Sequence, residues 1–127
     1  MSLKSAGGII SLLDEPSEKL QCLALTKLNQ IVNAFWPEIA EVVFRIETLY
    51  EDPNFPARKL AALLASKVYF HLGSYEDALM FALGAEELFD VHGHSEYVET
   101  IICMCLLYSM ISIVIQFSVG NPYIASR

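Results

Sequence analysis

The sequence predicts an all-α fold: stacked antiparallel helical hairpins forming a tetratricopeptide-like, α-solenoid rod fragment of about six helices. Two observations carry most of that reading. Apolar residues recur at three- and four-residue spacing along most of the chain, and Pro, Gly or Asp punctuates the boundaries between these stretches. A third is negative, since no stretch alternates with period two for long. The one strand-like run is the β-branched Ile111–Ile115.

The first helix is expected from about Leu3 to Leu13, weakened by Gly7 and Gly8 and ended by Asp14-Glu15-Pro16. Ser17 is placed as an N-cap for a second helix reaching about Ala34. Its apolar stripe reads Leu20, Ala24, Leu28, Ile31 and Phe35. Trp36-Pro37 then breaks the chain. Pro37 suits a first helical position, and Glu38 and Glu41 suit the positive end of the dipole. The third helix is expected to bury Ile39, Val42, Val43, Ile46, Leu49 and Tyr50, and to stop at Glu51-Asp52-Pro53-Asn54.

Pro56 opens a fourth helix, about Ala57 to Leu72, with Leu60, Leu64, Val68 and Leu72 as its stripe. Gly73 is positioned as its C-terminal cap, where φ above zero costs glycine nothing. Ser74 N-caps a fifth helix that carries Glu76 and Asp77 in its first turn and runs to about Leu88. A loop at Val91-His92-Gly93-His94 precedes a last helix starting at Ser95 or Glu96 and passing through Tyr97, Val98, Ile101 and Ile102.

Charge is distributed unevenly. All 15 Asp and Glu lie in residues 1–99, against 7 of the 8 Lys and Arg, so this part carries 7 minus 15, or −8. An acidic body with no basic stripe repels phosphate backbones and excludes a nucleic-acid partner. The stretch from Thr100 to Ser126 holds no charged residue at all. Ile9, Ile10, Leu12 and Leu13 are interrupted by Asp14, which argues against a secretion signal. Cys22, Cys103 and Cys105 are therefore expected as free thiols in a reducing compartment.

Residues with chemical potential reduce to packing roles. Ser66, Tyr69, Gly73, Tyr75, Ala78, Ala82 and Ala85 fall where a tetratricopeptide-type hairpin wants small and aromatic side chains. Small residues let the two helices approach, and aromatics fill the groove beside them. Such a unit cannot bury its outer faces alone and stacks on neighbours. Trp36, Tyr69, Tyr75, Ala78 and Ala82 are the candidate packing and interaction residues, with Trp36 either an anchor between two helices or a partner-facing hot spot.

His92-x-His94 and Cys103-x-Cys105 have a superficial metal-ligand look, but residues two apart on a helix point about 200° apart. His71, near the end of the fourth helix, reads as a capping group whose partial positive charge suits the dipole. Glu86-Glu87, Asp90 and Asp14-Glu15 read as solvated helix ends. Gly7-Gly8 lacks the lysine and preceding strand of a phosphate loop. No constellation proposes a reaction, a cofactor, a metal or a small-molecule substrate, so the chain is expected not to be an enzyme.

Several runs resemble the N-terminal segment of the 26S proteasome non-ATPase regulatory subunit 1 family. They include Ser5-Ala6-Gly7-Gly8-Ile9-Ile10-Ser11-Leu12-Leu13-Asp14-Glu15, Phe35-Trp36-Pro37-Glu38-Ile39 and Leu49-Tyr50-Glu51-Asp52. Leu60-Ala61-Ala62-Leu63, Ala65-Ser66-Lys67-Val68, Ala82-Leu83-Gly84-Ala85 and Ser95 through Ile102 extend the resemblance over about residues 3–102. It implies a scaffold in the base of the proteasome regulatory particle, in cytoplasm and nucleus. The implied partners are the ATPase ring, other regulatory subunits and ubiquitin-handling proteins, and no catalytic residues are implied. Two segments are expected: a helical-hairpin scaffold over 1–102, and an uncharged hydrophobic tail over 103–127 that departs from the family. That departure suggests a truncated or alternatively spliced product, or an incorrect gene model. Residues 101–119 have the length and composition to span a bilayer, so the competing expectation is a membrane-anchored acidic helical adaptor.

Overall fold

Proline, glycine and serine stand at several of the helix boundaries in the structure, a computed structural model that describes residues 3–120; Ser17 occupies the cap position of its helix without a side-chain cap hydrogen bond. The helices are α1 (Gly7–Ser11), α2 (Glu18–Ala40), α3 (Val43–Glu51), α4 (Arg58–His71), α5 (Tyr75–Ala85) and α6 (Glu96–Gly120). Short 3₁₀ turns follow α1 at Leu12–Asp14 and α5 at Glu86–Leu88. Among the described residues there is no strand. The chain divides into two compact units, one ending at Asp90 and one beginning at Val91.

In the first unit, α4 is the central element and packs against α2, α3 and α5. Its alanines explain why. Ala61, Ala62 and Ala65 are fully buried with Leu64, Ser66 and Val68, so three neighbouring helices can approach one axis. Leu25, Leu28, Val32, Ile39, Ile46 and Phe55 complete the same core. Burying a side chain of the Leu or Ile class contributes about 1.5–3 kcal/mol.

The end of α4 is a Schellman motif. Gly73 has φ 81°. The Ser74 N–H donates to the Tyr69 carbonyl at 2.9 Å and the Gly73 N–H to that of Phe70 at 3.1 Å. These bonds satisfy carbonyls that the helix end would leave open. The next helix begins at once, which makes α4 and α5 a tight antiparallel hairpin. Ser74 occupies the cap position, but its Oγ donates to Asp77 Oδ2 at 2.6 Å.

Several expected boundaries move. The first helix starts at Gly7, with Gly8 also inside its first turn. The Ser5 hydroxyl and the Ala6 N–H both donate to Glu38 Oε2, at 2.8 and 3.1 Å, which seats a carboxylate at the start of α1. Trp36-Pro37 bends α2 and does not end it. Phe35 leaves helical geometry (φ −119°, ψ 18°), and the chain re-enters the helix with Pro37 in its first turn. The expected third helix is divided instead at Glu41 and Val42, where Val42 has φ −117° and ψ 13°. The fifth helix stops at Ala85, short of Leu88, because Glu86 takes a positive φ of 52°.

The stripes also shift. Leu20 is exposed, and α2 buries Leu25 and Val32 beside the expected Ala24 and Leu28. Leu72 and Leu83 are exposed as well. Three ion pairs lie at the periphery: Arg45 with Asp14, and Lys59 Nζ with both Glu86 at 2.7 Å and Glu87 at 3.0 Å. Exposed pairs of this kind are screened by solvent and contribute little to stability.

In the second unit, the Val98 N–H donates to Ser95 Oγ at 3.2 Å, so Ser95 caps α6, which starts at Glu96, one of the two expected positions. The helix then continues to Gly120. The β-branched run Ile111–Ile115 is helical, because its neighbours on both sides are helical and nothing pairs with it as a strand.

Candidate interaction surface

The α3–α4–α5 layer is organised by an aromatic cluster. Tyr69 on α4 stacks on Phe81 of α5 at 5.6 Å between ring centroids, and Tyr50 of α3 meets the same Phe81 edge-on at 5.7 Å. The Tyr69 hydroxyl donates to Glu47 Oε1 at 2.6 Å. The Arg58 guanidinium lies 4.7 Å above the Tyr50 ring, and its Nε donates to the Tyr50 carbonyl at 3.0 Å. Burial, then the Glu47 carboxylate, pushes the Tyr69 phenol up to about 12.

The hairpin itself closes on small residues. Ala78 and Ala82 are buried, and the Ser66 hydroxyl donates to the Ala78 carbonyl at 2.6 Å from within the core. Gly84 on α5 faces the Tyr50 hydroxyl, and a Cβ there would stand 2.5 Å from that oxygen. The sequence shows Gly84 only as a helix-interior glycine. Its requirement comes from α3, more than thirty residues away.

A second aromatic group joins the ends of α2 and α4. Trp36 packs half-buried against the core, and its indole stacks on the His71 ring at 5.5 Å with planes 4° apart. His71 Nε2 lies 3.2 Å from Asn33 Oδ1. Phe70 meets His71 edge-on at 5.3 Å and Tyr75 at 6.0 Å. The expected capping role of a partly positive His71 is corrected here. Burial lowers its pKa from the ordinary value, which favours a neutral ring stacked on Trp36 and paired with Asn33.

Of the five candidate residues, the structure places Tyr69, Ala78 and Ala82 within the hairpin packing, and Trp36 at the α2–α4 junction. Tyr75 is exposed at the start of α5. The exposed ridge of α5 carries Glu76, Met80 (55% exposed) and Leu83 (62%) at four- and three-residue spacing. Sequence periodicity did not single out Met80.

No group of three or more His, Cys, Asp or Glu among the described residues is placed to hold a metal ion. Cys22 is half-buried, Cys103 and Cys105 are exposed on α6, and all three are unpaired. Lys59 is raised from its ordinary value by its hydrogen bonds to Glu86 and Glu87. Lys67 is half-buried and lowered by desolvation.

Comparison with known proteins identifies the family. Residues 4–120 match the family described as "26S proteasome subunit RPN2, N-terminal domain". The matched span runs past Ile102. The 26S proteasome non-ATPase regulatory subunit 1 of Drosophila melanogaster is 60% identical over 106 residues, covering 84% of this chain and 10% of the relative. The regulatory subunit rpn2 of Schizosaccharomyces pombe is 47% identical over 104 residues (82% and 11%), and RPN2 of Saccharomyces cerevisiae 43% over 102 (80% and 11%). The chain thus spans about a tenth of the length of the curated relatives it matches. It belongs to the family of the N-terminal domain of the 26S proteasome subunit RPN2.

Proposed function

We propose that the chain is a non-catalytic scaffold element of the 26S proteasome regulatory particle, supporting ATP-dependent degradation of ubiquitinated proteins. The observation that carries this reading is the family match over residues 4–120. The geometry is consistent with it. Polar side chains in the first unit hold helices together: Ser66 to Ala78, Tyr69 to Glu47, Glu38 to the start of α1. Helical hairpins of this type work by presenting outer faces to neighbours. In this reading the α5 ridge and the Trp36–His71 junction are contact surfaces, and the neighbours are other regulatory-particle subunits, including the ATPase ring and ubiquitin-handling subunits. Its place is the proteasome of cytoplasm and nucleus.

The test is a native affinity purification of the tagged chain from cytosol, with quantitative mass spectrometry. Stoichiometric recovery of proteasome base subunits supports the scaffold role. Recovery of chaperones alone contradicts it.

A further inference from the structure

The 15 Asp and Glu are segregated along the chain. They fall in residues 14–18, 38–52 and 76–99, and none lies in residues 19–37 or 53–75. The two acid-free stretches become α2, from its second residue to its bend, and the whole of α4. These helices pack against each other. Carboxylates meet α4 on its other flanks, Glu47 at Tyr69, and Glu86 and Glu87 at Lys59.

The half-buried residues Leu63, Lys67, Phe70 and His71 of α4 lie within an arc of about 100° around the helix. From α2, Asn33 and Trp36 border this stripe through their contacts with His71. Lys67 stands in the middle of it and has no hydrogen bond or ion pair among the described residues. Burial lowers its pKa, with no carboxylate to offset the lost water. Lys59 on the same helix shows the opposite, raised by Glu86 and Glu87. Lys19 and Lys27 are exposed on α2.

A partly desolvated, unpaired cation beside aromatic rings fits a carboxylate carried on a partly apolar segment. A stacking hairpin would meet an apolar stripe with its charges turned away, whereas here the charge stands at the centre. A phosphate backbone needs a dense row of cations, and this face has Lys67 with Lys19 and Lys27 spread along α2. We infer that the α2–α4 face of the first unit binds an acidic peptide segment of a partner protein, with a carboxylate meeting Lys67 and an apolar side chain lying on Phe70 and the Trp36–His71 stack. This specifies the chemistry of one contact surface of the scaffold reading and rests on that reading for the presence of a neighbour. Direct peptide binding tests it apart from particle assembly.

The full chain is titrated with fluorescein-labelled peptides of repeating Glu-Glu-Leu or Gln-Gln-Leu, read by fluorescence anisotropy. At physiological salt the field of distant carboxylates is screened beyond about 8 Å, so the local chemistry decides. Lys67→Met keeps an aliphatic stem and removes the charge. Lys59→Met removes an equal charge from outside the face. Circular dichroism checks that both fold, and the comparison of the two peptides on the wild type needs no variant. The expected result is that the wild type prefers the Glu peptide, that Lys67→Met weakens its binding about ten-fold, and that Lys59→Met leaves it unchanged. No binding of the Glu peptide by the wild type overturns the inference, as does equal binding of the Gln peptide. Equal weakening by both substitutions overturns it too, because net charge alone would then be the cause. Tighter binding of single-stranded DNA than of the Glu peptide would assign the face to phosphate instead.

Discussion

The Tyr50 hydroxyl occupies the space that a side chain at Gly84 would fill. This contact sets how closely α3 crosses α5 and orients the Tyr50 ring between Phe81 and Arg58. Replacing Gly84 by alanine gains helix propensity of about 1 kcal/mol but forces Tyr50 aside, an overpacking cost of about 1–3 kcal/mol. The expected outcome for Gly84→Ala is net destabilisation of up to about 2 kcal/mol by urea titration. Adding Tyr50→Phe, which removes the clashing oxygen, should recover part of that loss. An additive double variant would show that the two side chains do not compete.

The Ser66–Ala78 hydrogen bond gives a second stability test. The hydroxyl is buried, and its acceptor carbonyl lies on the facing helix. Ser66→Ala keeps the close approach and removes the bond, at an expected cost of about 1 kcal/mol. Ser66→Val should cost more, because added volume separates α4 from α5. Equilibrium unfolding of both variants checks the order.

Alkaline pH should weaken the α3–α4 contact. Tyr69 ionises in an unfolded chain near the ordinary tyrosine value of 10.0 and in the fold at about 12. Its neutral form is therefore the one the fold favours. The stabilisation is complete below pH 10 and is lost as pH rises from 10 towards 12. Tyr69→Phe should show a shallower loss of stability across that window than the wild type. Parallel curves would exclude the Tyr69–Glu47 bond as the cause.

Acid should be reported by the only tryptophan. The His71 pKa is lowered from 6.5 by burial, so the fold favours the neutral ring. This stabilisation is present above pH 6.5 and is lost as pH falls below it. Trp36 fluorescence should change with a midpoint below 6.5, since protonation alters the ring stacked on the indole. His71→Phe should abolish the transition. A transition retained in that variant would assign it to another group.

Much of this fold can be read locally. Gly73 announces a left-handed cap, Ser17, Ser74 and Ser95 mark helix starts, and the alanines of α4 and α5 mark a close helix pair. What the sequence hides depends on distant partners. Phe35 and Val42 adopt nearly the same bridge geometry with no glycine beside either. Pro37 signals a break near the first, but nothing in the local sequence marks the second. Leu20 keeps helical spacing with Ala24 yet lies outside the core, while the same unkinked stretch of α2 buries Leu25 and Val32. In the interaction surface, Ala78 and Ala82 follow from the hairpin pattern. The roles of Gly84, Glu47 and Asn33 do not, since each is defined by a side chain on another helix.

The central claim is that this fold serves as a structural element of the regulatory particle. The most direct measurement replaces the matching N-terminal segment of the Drosophila melanogaster subunit with residues 4–120 of this chain. Native electrophoresis then quantifies assembled 26S particles, beside a control that lacks the segment. The account predicts assembly by the chimera close to the unaltered level and clearly above the deletion. A chimera that assembles no better than the deletion would contradict it.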